Sequence, residues 1–320
     1  MVPPAPRPAA GALSVFARRL GLALVTLWAA VTLSFFGLRL AAGDPLAGLL
    51  SQGLASPQQA AELRERLGLA DPLLTQYARY LSGLLQGDLG RSLYTQRPVG
   101  EVIAEQAGST VELAIAGLGM TILIGAILGL VAGSRRSTAL GSGASAAAGL
   151  ATALPVALTG VLILWAAMAV GRAAPAFLPL TRSDSLLLPA LALGIASAGA
   201  LARILEGGLQ ENLEAPFVLA ARARGVRRGL PLIWHALRPA LPLAISFLSL
   251  EAALLLGGTV VTETVFARPG LGRLLVNSIL DGDFPVVQGL VLVAAAVYTL
   301  THVAADMAAA FADPRLRDEA

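Results

Sequence analysis

Six stretches of this chain run for about twenty residues each with almost no charge, and they restrict its fold more than any other feature. They fall at 20–40, 112–134, 148–171, 185–206, 239–262 and 284–310. A bilayer core takes roughly 20 mostly apolar residues per helix, so each stretch is long enough to cross. With 56% hydrophobic residues, 13% charged residues and a mean hydropathy of +0.74, the chain lies outside the soluble globular range. Hydrocarbon offers no water to unpaired backbone groups, so spans of this kind have to be helices. The expectation is an all-α membrane protein with six transmembrane helices.

Charge sets the orientation. The chain has no lysine, so all 23 basic residues are arginine. Short cytoplasmic loops retain positive charge, and an even number of spans puts both termini on one side. With that side inside, 13 arginines face the cytoplasm, 4 lie in the short outer loops and 6 lie at Arg39 or in the long first loop, where the rule does not apply. Both termini are therefore expected in the cytoplasm, as a 1–19 segment and a 311–320 tail. The first stretch exceeds the usual apolar core of a cleaved leader and is read as a span.

Whole classes of chemistry drop out. Without lysine there is no Walker-type phosphate loop, which needs that side chain on the nucleotide phosphates. Without cysteine there is neither a disulfide framework nor a thiolate metal site. His235 and His302 are the only histidines, too few for an intramembrane hydrolase or a His-rich metal centre. No cofactor is expected on the chain, nor a nucleic-acid partner.

Between the spans, three segments carry pattern. The 41–111 segment, expected outside, includes Leu73, Leu74, Tyr77, Tyr80, Leu81, Leu84 and Leu85 at helical spacing, which predicts short amphipathic helices. The 263–283 segment, also outside, holds the turn signal Pro269-Gly270. The 207–238 segment is cytoplasmic and too polar to span. In it Val218, Ala221 and Val226 alternate with Arg222, Arg224, Arg227 and Arg228, and Gly225 interrupts the pattern, predicting two short helices joined at a glycine. Its basic face suits either anionic lipid headgroups or a groove on a cytosolic partner.

Ionisable residues inside spans are costly and so become candidates for function. Glu251 sits mid-span, where it either lines a pathway and meets a cationic group such as a peptide amino terminus, or is hydrogen-bonded to neighbouring helices. His302 and Asp306, four residues apart, suit a pair across one helical turn.

At the 207–238 segment the chain resembles a known family. Ala220-Ala221-Arg222-Ala223-Arg224-Gly225, followed by His235, Leu237, Arg238 and Pro242, is similar to the EAA loop of binding-protein-dependent ABC importer permeases. Further resemblances follow in order at 39–45, 87–92, 97–99, 110–114, 263–275, 283–289 and 313–317. Together they point to the dipeptide, oligopeptide and nickel group, and to the first-encoded subunit of its permease pair. Two departures stand out: Leu219 occupies the acidic position that names the loop, and the spacing to Pro242 is about one residue short.

The resemblance implies a type I importer permease fold and a role as half of a translocation pathway. ATP and Mg would then sit on two cytosolic ATPase subunits, a second homologous permease would complete a heterodimer, and an extracytoplasmic solute-binding protein would deliver cargo. It assigns ATPase coupling to Ala220, Ala221, Arg222, Ala223, Arg224 and Gly225. Glu263, Phe266, Pro269 and Gly270 become candidates for the outer gate or binding-protein contact. Peptide is the favoured cargo over nickel or chelated metal, since the spans lack clustered His, Met or Cys. The alternative from another class is an ion-coupled secondary transporter, which would call for inverted repeats and several midplane carboxylates; the chain shows no such repeat, and only Glu251 lies at the right depth.

Overall fold

The computed structural model describes residues 10–54, 56–173, 185–225 and 229–312. Among these residues the regular structure is entirely helical, apart from an isolated bridge between Arg91 and Pro98. Five helical stretches are long and apolar enough to cross a membrane: Leu20–Ala41, Val99–Ser134, Leu187–Leu213, Ile233–Leu255 and Phe284–Thr301. Two further apolar helices, α6 (Ala139–Ala153) and α7 (Val156–Ala173), meet at an angle of 111°, the bend of a broken span or a re-entrant loop, and bring the candidate crossings to at most six. The sequence predicts one rod over 148–171, and the chain instead breaks at Pro155. Proline has no N–H to continue the ladder and forces the preceding residue out of the helical region; Leu154 is accordingly extended, at φ −82° and ψ 125°.

The helices group into two compact units, Met1–Gln106 with Leu274–Ala320, and Ala107–Arg273. In the first, α1 (Ala10–Ala42) packs along α14 (Phe284–Ala312). The 41–98 region carries the short helices α2 (Ala47–Ser51), α3 (Pro57–Arg66) and α4 (Leu73–Leu85). A reciprocal capping box starts α3: Ser56 Oγ accepts from the Gln59 N–H at 3.2 Å, and Gln59 Oε1 accepts from the Ser56 N–H at 2.8 Å.

The predicted amphipathic stretch is α4, and its aromatic face meets the end of α1. Phe35 of α1, 1% exposed, lies 5.2 Å from the Tyr77 ring and stacks on Tyr80 at 5.6 Å. The Tyr77 hydroxyl is 2.6 Å from Thr32 Oγ1. The Arg39 guanidinium carbon lies over the Phe35 ring, 3.5 Å from its centroid.

Asp283, 5% exposed, fixes the start of α14. Its carboxylate accepts from Ser92 Oγ at 2.5 Å and from the Leu93 N–H at 3.0 Å. Burial raises its pKa above the usual carboxylate value, only partly opposed by these bonds. The folded state therefore holds the Asp283 proton more tightly than the unfolded chain, so its contribution to stability falls as pH rises from the ordinary carboxylate range through the raised value. The expected result is a thermal midpoint in detergent that drops across that interval, with a flatter profile in Asp283→Asn. An identical slope in both proteins would remove Asp283 as the cause.

The second unit is organised on α8 (Leu187–Leu213), which contributes Leu188, Leu193, Leu201, Leu205 and Leu209 to the core. Within this unit the later part of α5 (Val99–Ser134) lies against α8 at close range. A Cβ on Gly125 would fall 2.9 Å from the Leu201 side chain, one on Gly129 would fall 2.7 Å from the Ala202 carbonyl oxygen, and one on Gly133 would fall 2.9 Å from the Leu209 side chain. Glycines four apart on one face let two backbones approach where lipid supplies no hydrophobic drive for association.

Candidate coupling loop and buried carboxylates

The loop after α8 is built from short-range signals. Ala215 is extended at φ −69° and ψ 147°, and Pro216 opens α9 (Pro216–Ala223) at the position where a missing N–H costs nothing. Gly225 then lies at φ +88°, with its N–H donating to the Arg222 carbonyl at 3.0 Å. This left-handed geometry closes a helix and suits glycine alone without strain. After Gly229 the chain resumes as α10 (Leu230–Leu237). Two short helices flanking a glycine break match the sequence expectation; Val226, Arg227 and Arg228 lie outside the described residues.

A single residue pegs α9 to the bundle. Val218 is fully buried against Leu209 and Ala236. The rest of the helix is presented outward: Ala220, Arg222, Ala223, Arg224 and Gly225 are exposed and Ala221 is half-buried. Phe217 and Leu219 are 47% and 50% exposed. The outward surface of α9 thus combines two large apolar side chains with two guanidiniums, and Leu219 stands in it where the EAA pattern has an acid. A short, pegged helix with an apolar and basic outer face can dock in a groove and pass force to α8 and α10.

Glu251 lies on α11 (Leu241–Gly258), half-buried, and its Oε1 accepts a hydrogen bond from Ser197 Oγ of α8. This contact is the helix-to-helix bond that the sequence leaves open as one of two roles. His302 and Asp306 fall within α14, but their side chains lie outside the described residues.

The residues expected at the outer gate have a different arrangement. Glu263, in α12 (Val260–Val265), is 0% exposed. Its Oε1 accepts from Thr110 Oγ1 at 2.7 Å and Thr259 Oγ1 at 2.8 Å, and its Oε2 accepts from the N–H groups of Gly272 at 2.8 Å and Arg273 at 3.0 Å. The last two open α13 (Leu271–Asp281), so the carboxylate caps that helix. Gly270 is buried against it; a Cβ there would sit 2.3 Å from Glu263 Cδ. Phe266, 8% exposed, packs on Leu188 and Ala192, and only Pro269 of the four is exposed. Within this chain Glu263 holds the turn together. Nearby, Arg268, 5% exposed, pairs with Glu112 at 3.1 Å.

Thr110 and Thr259 do not come forward from the sequence as partners of Glu263. A signal for Thr110 exists, because it begins one of the strings that resemble the family. Thr259 lies four residues before Glu263, one helical turn away.

Five helices long and apolar enough to cross a membrane, a bent helix pair beside them and an exposed short helix pegged by Val218 describe a multi-pass membrane protein. The model of the family described as binding-protein-dependent transport system inner membrane component matches residues 122–318, and a second, describing the N-terminal part of such membrane components, matches residues 12–114. The chain belongs to this family of inner-membrane transport components. Among its relatives is the di/tripeptide transport system permease protein of Pseudomonas aeruginosa, 30% identical over 334 residues, covering 96% of this chain and 99% of the relative. The metal-staphylopine import system permease protein of Staphylococcus aureus is 35% identical over 269 residues, covering 83% and 85%. A Brucella abortus protein that is provisionally named a peptide transport system permease protein is 35% identical over 308 residues, covering 94% and 98%.

Proposed function

We propose that this chain is one of two paired permease subunits of an ATP-driven importer for short peptides, and that it carries no ATPase site of its own. The observation that carries the reading is the pegged helix α9, whose exposed Phe217, Leu219, Arg222 and Arg224 stand beside the glycine break at Gly225. Two cytosolic ATPase subunits bind ATP and Mg and move the bundle through Ala220 to Gly225. A homologous permease completes the pathway as a heterodimer, and an extracytoplasmic binding protein delivers the cargo. Both termini, 1–19 and 311–320, lie in the cytoplasm. The Pseudomonas relative supports peptide cargo. The staphylococcal relative supports a second reading, in which the cargo is a chelated metal.

The test is ATP-dependent uptake of labelled dipeptide by proteoliposomes holding the complete importer and its binding protein. Uptake that follows an imposed ion gradient without ATP would replace this reading with a secondary transporter. Uptake of a metal chelate in place of peptide selects the second cargo. In the same assay Glu251→Gln retains an acceptor for Ser197 and removes only the charge. Cationic peptides are expected to lose uptake by about tenfold relative to neutral ones, the effect of one charge-assisted hydrogen bond; an unchanged ratio assigns Glu251 to helix packing.

A further inference from the structure

Helix α4 has two apolar sides, and one of them meets α1 through the contacts of Tyr77 and Tyr80 with Phe35 and of Tyr77 with Thr32. The other is Leu74, Ala78, Leu81 and Leu85, whose steps of four, three and four residues keep to one side of a helix. Leu74 is 74% exposed and Leu85 90% exposed, Ala78 is exposed and Leu81 half-buried. The remaining side is polar: Thr75, Arg79 and Ser82 are exposed, and Arg79 pairs with Asp71 at 2.6 Å. In water a row of leucines at this exposure has no use, since polar side chains there would cost no packing; an apolar stripe of this kind marks a surface that something apolar covers.

The contacts of α4 fix its level. Thr32 and Phe35 belong to the apolar stretch Leu20–Ala41 and lie roughly two turns before its end. Leu73, at the start of α4, lines one groove with Phe36, Leu40 and Gly43. Gly83, near its end, lines a cavity with Phe284 and Pro285, where the apolar stretch of α14 begins. The helix is therefore strung between the end of one spanning stretch and the start of another, at the boundary of the hydrocarbon rather than above it. Its exposed leucines also continue the outward side of α1. Leu33 and Leu40 of that helix are 72% and 85% exposed, and Phe36, between them in sequence, lies 5.3 Å from the Tyr77 ring, which joins this side of α1 to α4. Tyrosine and arginine are side chains that sit at headgroup level with an apolar body and a polar tip, and Tyr77, Tyr80 and Arg39 meet here around Phe35.

We propose that α4 is an interfacial helix embedded in the membrane leaflet at the C-terminal end of α1, its Leu74, Ala78, Leu81 and Leu85 side covered by phospholipid acyl chains and its Thr75, Arg79 and Ser82 side turned to headgroups and water. A free peptide of 13 residues would bind a bilayer weakly, but Phe35 and Thr32 already dock this one, so the stripe has only to withdraw its own apolar area from water. Lipid is favoured over a second protein because the stripe runs on from side chains of a spanning stretch, at a depth where acyl chains begin. The assignment needs only that the chain spans a membrane, and it is independent of the cargo.

The chain has no cysteine, so a single substitution places a nitroxide label at one chosen position. Leu74→Cys, Leu85→Cys, Thr75→Cys and Ser82→Cys are each labelled in the importer complex, with partner subunits freed of cysteine, in nanodiscs of phosphatidylcholine and phosphatidylglycerol. Electron paramagnetic resonance then reads collisions with oxygen, which concentrates among acyl chains, and with a nickel chelate, which stays in water. The oxygen-to-nickel ratio should be about tenfold higher for the labels at Leu74 and Leu85 than for those at Thr75 and Ser82, the contrast between the two sides of an interfacial helix. As an independent readout, Leu85→Trp should add emission that lipid brominated near the headgroup quenches about twofold more than lipid brominated at the chain ends, because such a helix sits only ~5–10 Å deep. Equal ratios on the two sides, or no added quenching by either lipid, put α4 in water and overturn the proposal. Labels at Leu74 and Leu85 that are immobilised and reached by neither reagent overturn it too, since a protein partner then covers the stripe.

Discussion

Replacing Glu263 by alanine is expected to destabilise the protein by about 3–5 kcal/mol, a drop in the thermal midpoint on the order of 10 °C for a unit of this size. The carboxylate serves four donors from a position with 0% exposure. Alanine would leave them all without it. The two threonine hydroxyls can turn toward carbonyls one helical turn back, but the Gly272 and Arg273 N–H groups point out of the first turn of α13 and have no such choice. Each buried donor left unmade costs about 1–3 kcal/mol. Glu263→Gln should cost much less, since its amide oxygen can take both N–H groups while its NH2 donates to the threonine oxygens. Thr110 Oγ1 already accepts from the Leu271 N–H at 2.8 Å, so the exchange is not free. Gly270→Ala should resemble Glu263→Ala, because the added methyl would occupy the space of the carboxylate. Unfolding in detergent, followed by tryptophan fluorescence, reads all three. A midpoint for Glu263→Ala within about 2 °C of wild type, under 1 kcal/mol at this size, would show that the four hydrogen bonds contribute little.

The helices were legible because lipid leaves the backbone no other option, and each long apolar stretch announces itself. The glycine break between α9 and α10 was legible for a local reason as well: helix-forming residues on either side of Gly225 stop at the one residue that tolerates φ +88°. The kink at Pro155 carried a plain signal that an uncharged run obscures, since hydropathy averages over a proline that breaks the ladder. The role of Glu263 was not legible. The resemblance offers this glutamate as an outer-gate or binding-protein contact, and its buried partner Thr110 lies 153 positions away in sequence. The glycine face of α5 is a third kind of case. Gly125, Gly129 and Gly133 stand at a spacing of four, which marks one face of a helix, but only the positions of Leu201, Leu205 and Leu209 show which neighbour that face meets.

Gly225→Pro is expected to lower ATP-linked uptake at least tenfold while the protein still reaches the membrane in normal amount. Proline fixes φ near −65°, against the observed +88°, and it removes the N–H that donates to the Arg222 carbonyl. The chain leaving α9 would turn away from its present course, and Arg224, held at φ −79° and ψ 6° just before the proline, would be pushed toward extended backbone and lose its fixed relation to Val218, the one buried anchor of the helix. No spanning helix contains Gly225, so insertion has no reason to fail. Gly225→Ala keeps the N–H and meets only the left-handed penalty of about 1–2 kcal/mol, so part of the uptake should remain. Membrane protein level, ATPase copurification and uptake are measured together in both variants. Loss of uptake with copurification retained places the defect in force transmission, and loss of both places it in docking. Normal uptake by Gly225→Pro would show that the lever does not depend on the geometry of this turn, and the coupling role of residues 220–225 would fall with it.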